Sequence, residues 1–178
     1  MKRLALGAAA LLAATLTALC AAGPEEATPT PAPIVSTEIS GSDLGFFTGA
    51  ARQTALLVRV SGLAKRHAVT PEVQAVAAAV WQEQTDAAAR LKKLAERKQA
   101  PLPEEPDGEG KKLLQTLGKL TGPKFDKSCL DALGDAQDAL ETSLEAGAAS
   151  MDGEIKAFAV AGLGTLKQER QRVSRLGM

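Results

Sequence analysis

VAAAVWQEQTDAAARL, residues 76–91, carries Val76, Val80, Ala87 and Leu91 at helical spacing, so these side chains share one face of an α-helix. Gln84 falls inside that stripe. An amide turned into a core without a partner costs roughly 1–3 kcal/mol, so Gln84 has to meet another polar group, a water or the surface. The same stretch has no alternation of β-branched and polar residues, which is what a half-buried strand would need.

Working outward, Thr70-Pro71-Glu72 reads as the start of this helix: threonine as its cap, proline at the first position, glutamate facing the positive end of the dipole. Ala100-Pro101-Leu102-Pro103 stops it near Gln99. A helix over about residues 43–68 precedes it. PLPEEPDGEG reads as a loop and KKLLQTLGKL as a short helix, ended by Thr121-Gly122-Pro123. Two further long helices cover about residues 124–149 and 152–176, with Asp152 placed to cap the last. The fold class is therefore all-α, a four-helix bundle over residues 43–176. Its long second connection contains a short helix and can run the bundle's length, leaving the second and third long helices parallel. The two halves show no defensible internal repeat.

Each of the last three long helices has one polar interruption. Gln137 lies between Leu133 and Leu140, and Glu169 between Leu166 and Val173, as Gln84 does in its own stripe. Thr54 and Ser61 are a weaker version on the first helix. Three unpaired polar groups could remove a large share of a stability of about 5–15 kcal/mol, so the expectation is a mutually hydrogen-bonded layer. Metal is the sharper alternative, since bundle cores hold di-iron sites. The residue types oppose it: the single histidine, His67, has Ala64 three residues before it instead of a glutamate, and glutamine is a poor transition-metal ligand.

The N-terminus supplies a compartment. Lys2 and Arg3 precede an apolar run over residues 4–19 and then Cys20-Ala21-Ala22, the order of a secretory signal peptide over residues 1–22. The run is short and alanine-rich for a membrane span. Two fates stay open for Cys20: removal with the signal, or lipidation as in bacterial lipoproteins, although Thr17, Ala18 and Leu19 depart from that box at two positions. Residues 23–42, GPEEATPTPAPIVSTEISGS, read as a flexible Pro/Thr/Glu-rich linker.

The whole chain has 21 basic and 21 acidic residues, and without Lys2 and Arg3 the balance is slightly acidic. That weighs against nucleic acid as a partner. With Cys20 removed or acylated, Cys129 is alone, so packing and not a disulfide framework must stabilise the bundle. Cys129 reads as a buried inert thiol, Trp81 as an edge-packed aromatic, and His67 as a solvated residue near a helix C-terminus. The basic runs RLKKLAERK and KQERQRVSR end two helices, where cations complement the dipole. No Cys-x-x-Cys-His, phosphate loop, Gly-x-Ser-x-Gly or His-Glu-x-x-His occurs.

LTGPKFDKSCLDALGDAQDAL, with VAAAVWQEQT upstream and IKAFAVAGLGTLKQE downstream, resembles a bacterial family of exported helical bundles. This is the domain-of-unknown-function family numbered four-one-four-two, often labelled outer membrane protein and likened to ferritin. The resemblance implies that histidines of relatives fall on Gln84, Gln137 and Glu169, a tyrosine on Cys129 and a proline on Gly164. Glutamine can replace neutral imidazole in a hydrogen-bonded layer, because both donate and accept.

The reading is a non-enzymatic exported cell-envelope bundle, periplasmic or outer-membrane-associated, that binds another envelope component or serves a structural or stress-related role. Cys20 is its candidate membrane anchor. No catalytic residues, metal ligands or cofactor are assigned, and the sequence sets no oligomeric state. The alternative is a ferritin-like binder of metal or a small ligand, weakened by the missing histidines.

Overall fold

The computed structural model describes residues 39–176. The expected signal peptide over residues 1–22, with Cys20, and most of the expected linker over residues 23–42 lie outside the described residues. The first helix, α1 (Gly41–His67), starts inside the expected linker because the Ser40 side chain accepts the Asp43 N–H at 3.1 Å and caps it. Then follow α2 (Pro71–Lys98), the short α3 (Gly108–Leu117), α4 (Gly122–Ala148) and α5 (Gly153–Ser174). Among the described residues the chain is all-α: four long helices of 27, 28, 27 and 22 residues form a bundle, with the 10-residue α3 in the crossover.

Cross-helix contacts set the directions. Asp126 at the start of α4 meets Val69 and Thr70 beyond the end of α1, and Gly147 near the end of α4 lies by Phe46, so α1 and α4 are antiparallel. Arg170 pairs with Asp138 and Glu141, and Gly162 lies against Leu144, so α4 and α5 are antiparallel. Lys98 reaches Asp152 while Gln84 reaches Glu169, so α2 and α5 are antiparallel too. It follows that α2 and α4 run parallel and the α3 connection crosses the bundle's length. The basic C-termini of α2 and α5 therefore sit at opposite ends.

The packing is uneven. α1 lies against both α2 and α4, with α3 also touching it, and it buries residues on several faces, among them Phe47, Leu57, Val60 and Ala64. The α2–α5 seam is the thinnest of the four long-helix seams. α5 contributes few large apolar groups to it, because its sequence from Ala157 to Gly164 is rich in alanine and glycine.

Helix starts obey local chemistry in one case and not in another. Asp152 caps α5 as expected, accepting the N–H groups of Glu154 at 2.9 Å and Ile155 at 3.1 Å. Thr70 occupies the cap position of α2, but its side chain makes no capping bond. Pro71 has no N–H to satisfy, and the free donors of this turn, the Val69 and Thr70 N–H groups, go to the Asp126 carboxylate of α4 at 3.0 and 2.9 Å. The position was legible in the sequence and the bond was not.

One glycine is required by close approach. A Cβ on Gly147 would come within 2.5 Å of Phe46 Cδ2 and 3.0 Å of the Ala159 Cβ. Phe46 is itself held by Phe47, at 5.1 Å between centroids, and by Phe158 at 6.1 Å. Gly147→Ala is expected to lower stability by about 1–2 kcal/mol, since overpacking outweighs the roughly 1 kcal/mol gained in helix propensity. Gly164→Ala meets nothing within 4 Å and should instead stabilise by about 0.5–1 kcal/mol. Denaturant melts of the two variants check the opposite signs.

Candidate functional site

Gln84 on α2, Gln137 on α4 and Glu169 on α5 meet in the bundle interior, with relative exposures of 3%, 0% and 0%. Each sits on the apolar stripe of its helix, and the antiparallel α2–α5 and α4–α5 pairings bring the three to one level. Gln84 Nε2 donates to both carboxylate oxygens of Glu169, at 3.0 and 2.8 Å. Gln137 Nε2 donates to Oε2 at 3.5 Å, a long bond. Thr54 and Ser61 of α1 are also buried, and the Ser61 hydroxyl is bonded back to the Leu57 carbonyl at 2.5 Å.

The electrostatics turn on Glu169. Burial pushes its carboxyl up to about 7; the neighbouring Glu83 carboxylate pushes the same way, and the two amides that donate to it pull back. Burial dominates because a charge taken from water loses more than two neutral amides return. The group is thus poised between charged and neutral forms near neutral pH. Its surroundings are tied by ion pairs: Arg172 of α5 to Glu83 of α2, and Arg170 of α5 to Asp138 and Glu141 of α4.

The layer is not fully satisfied. Gln84 Oε1 and Gln137 Oε1 are buried and find no hydrogen-bond donor among the described residues. Gln84 lines a crevice of about 230 Å³ between α2 and α5. Gln137 lines a wider groove of about 940 Å³ between α4 and α5, with the charged Asp138, Glu141, Lys167 and Arg170 along it. Among the described residues, no three His, Cys, Asp or Glu side chains come together as a group that could hold a metal ion.

Residues 28–176 match the family described as Domain of unknown function (DUF4142). The chain belongs to that family. No curated protein and no solved structure matches it. In this DUF4142 chain, the positions on which the resemblance places histidines are the three that meet at Glu169. Cys129, the tyrosine position, is free and fully buried, and burial together with the charge of Asp126 pushes its thiol up to about 12, so it stays protonated. Gly164 lies within an unbroken α5.

The other residues singled out in the sequence lie apart from this layer. His67 is exposed, its ring edge-on to Phe125 at 6.4 Å. Trp81 is half-buried, with the Lys65 ammonium 3.7 Å from its ring centroid. No helix of the described residues is long and apolar enough to cross a membrane. Two features went unread in the sequence: the Glu83–Arg172 pair beside the layer and the role of Asp126 at the α1–α2 turn. Asp126 had a signal, since Phe125-Asp126 is part of the family resemblance, but its partners lie more than 50 residues away.

Because both amides converge on one carboxyl group and not on each other, their energies should couple through it. A double-mutant cycle of Gln84→Leu and Gln137→Leu is expected to give an interaction of about 0.5–2 kcal/mol. Strict additivity in urea unfolding would mean that the two amides act separately.

Proposed function

We propose that this chain is a non-enzymatic helical bundle of the bacterial cell envelope, acting by binding another envelope component. The observation that supports this reading is the closure of the polar layer. Glu169, the one carboxyl group in the core layer, is sealed from solvent and engaged by two amides, so it has no open position from which to attack or protonate a substrate. Export rests on the N-terminal sequence pattern. A ferritin-like metal role is the weaker reading, because two amides and one carboxyl make a poor transition-metal ligand set.

The test combines fractionation of cells making the full chain with mass measurement of its mature N-terminus. A diacylglycerol-modified Cys20 places it on a membrane, and a chain starting at Ala21 or Gly23 places it free in the envelope space. Recovery from the cytoplasm with Met1 and the signal sequence intact would overturn the assignment. Elemental analysis of the same preparation addresses the role: tightly held iron, zinc or copper at one or more atoms per chain would defeat it in favour of metal binding.

A further inference from the structure

Small residues leave room between α1 and α2. Ala51 and Ala55 of α1 and Ala88 and Ala95 of α2 line a cavity of about 490 Å³, within the range of roughly 300–1,000 Å³ that small-molecule sites occupy. The segment after α2 adds a third wall through Ala100, Leu102 and Pro103. Glu104 ties that segment back to Lys92 of α2 at 3.8 Å.

Five lining residues are polar: Thr54, Arg59, Lys92, Glu96 and Glu104. They give the cavity a direction. α1 and α2 run antiparallel from the turn that joins them, so Arg59 lies towards that turn, and Glu96, near the end of α2, lies roughly 20 Å farther along the bundle at about 1.5 Å per residue. Lys92 and Glu104 answer each other between these ends. Close to Arg59, whose charge is felt at Glu105, that carboxylate is taken by Lys111 at 2.6 Å. Arg59 itself makes no ion pair among the described residues, so one positive charge is left over at this end.

Thr54 is the buried polar group of the lining, only 4% exposed. The hydroxyls of Ser61, Thr85, Thr116, Thr142, Ser143 and Thr165 all turn back to the carbonyl four residues earlier. Thr54 makes no hydrogen bond among the described residues, and its oxygen is not one of the unpartnered atoms sealed from solvent. That hydroxyl therefore opens on the cavity which Thr54 lines.

We propose that this cavity takes up a single-chain anionic amphiphile of the fatty-acid class. Its carboxylate accepts hydrogen bonds from the Thr54 hydroxyl and the Arg59 guanidinium, and its acyl chain runs from there between Ala51, Leu91, Ala95 and Leu102. The reverse orientation would set the carboxylate against Glu96. A cationic head would meet the uncompensated Arg59, and a neutral alcohol would leave that charge unanswered. Uptake of this kind does not depend on where in the cell the bundle resides.

The test is an NMR titration of the 15N-labelled full mature chain at pH 7 with decanoate, decanol and decylamine, each below its micelle concentration. Decanoate should shift the Thr54, Ala55 and Ala88 backbone amides saturably and bind more tightly than decylamine. Arg59→Gln, at an exposed position, and Thr54→Val should each weaken decanoate about three- to five-fold, and Arg59→Gln should leave decanol within about two-fold. Ala88→Leu, which fills the space from a half-buried position, should abolish binding of all three probes. The proposal is overturned by an absence of saturable shifts, by decylamine binding as tightly as decanoate, or by a decanoate affinity that neither Arg59→Gln nor Thr54→Val lowers. If Ala88→Leu fails to fold, the decanoate-to-decylamine ratio and Arg59→Gln decide.

Discussion

Asp126→Ala is expected to destabilise the bundle by about 3 kcal/mol, more than any other single removal of a polar side chain considered for this chain. The Asp126 carboxylate accepts the Val69 N–H at 3.0 Å and the Thr70 N–H at 2.9 Å and is only 5% exposed. Bonds to a charged acceptor contribute about 1.5–3 kcal/mol each, and alanine would leave two donors of the α1–α2 turn unpaired. It would also cut the tie that fixes this turn against α4, so the unfolding rate should rise. Burial pushes the Asp126 carboxyl up, but its interactions with Thr70 and Val69 outweigh it, and the net shift is downward. A carboxyl lowered in the folded state stabilises above its ordinary value near 3.8 and loses that contribution as pH falls through the folded value. The variant should therefore show a flatter acid limb than the unmodified chain, as well as a lower plateau. Asp126→Asn keeps the shape and one acceptor oxygen and should lose about half as much. Urea melts at pH 7 and pH 3 check both points. A loss below about 1 kcal/mol for Asp126→Ala would show that water satisfies the turn as well as the carboxylate does.

How much was legible follows from the range of the interactions involved. The helices and the crossover are encoded locally, in the 3.6-residue recurrence of apolar side chains and in Pro and Gly at the breaks, and they lie within a few residues of where the periodicity puts them. Asp152 caps α5 because a cap acts within three residues. Thr70 makes no side-chain cap on α2, and the turn is tied instead through a partner distant in sequence, Asp126, which accepts the Val69 and Thr70 N–H groups. Gln84, Gln137 and Glu169 were conspicuous because each breaks an apolar stripe, and their meeting at one level needs only the antiparallel directions that the crossover imposes. What lay beyond reach is the crevice beside Gln84. It arises from what Ala87 and Gly162 do not fill, and an absence of volume becomes visible only once Leu140, Leu144 and Phe158 are set around it.

The uneven packing and the polar layer have a common consequence. α1 buries residues on several of its faces, whereas α5 is attached to α2 largely through charged and polar groups. Lys98 is raised by its hydrogen bonds to Asp152 and Glu154, and both acids are lowered by Lys98, so this end of the seam holds its charges across the neutral range. Glu169 is the titratable group of the seam whose folded state moves it into that range. A change of pH near neutrality should therefore act on the α2–α5 seam before it acts on α1 and α4.

Glu169→Gln turns this into a measurable difference. The carboxyl of Glu169 is raised by burial, and further by Glu83, from an ordinary 4.5 to about 7. A carboxyl raised in the folded state binds its proton more tightly there than in the unfolded chain. Its contribution is thus complete below pH 4.5 and declines as pH climbs to about 7, a total of about 3 kcal/mol. Glutamine at this position remains neutral at every pH, and its amide can donate to an orphaned oxygen of Gln84 or Gln137 while its own oxygen accepts from them. The variant should match the unmodified chain within about 1 kcal/mol at pH 5 and exceed it by about 1–3 kcal/mol at pH 8, as replacing a buried charge by a neutral isostere commonly does. The Glu83–Arg172 pair faces this group from α2 and from α5 itself, so the companion variant Glu83→Gln should move the midpoint of the Glu169 transition downward without removing it. Unfolding free energies measured by urea from pH 4.5 to 8.5 decide the matter. Profiles that run parallel for Glu169→Gln and the unmodified chain would mean that the carboxyl is charged throughout, and that water or an ion, not the two amides alone, carries that charge in the core.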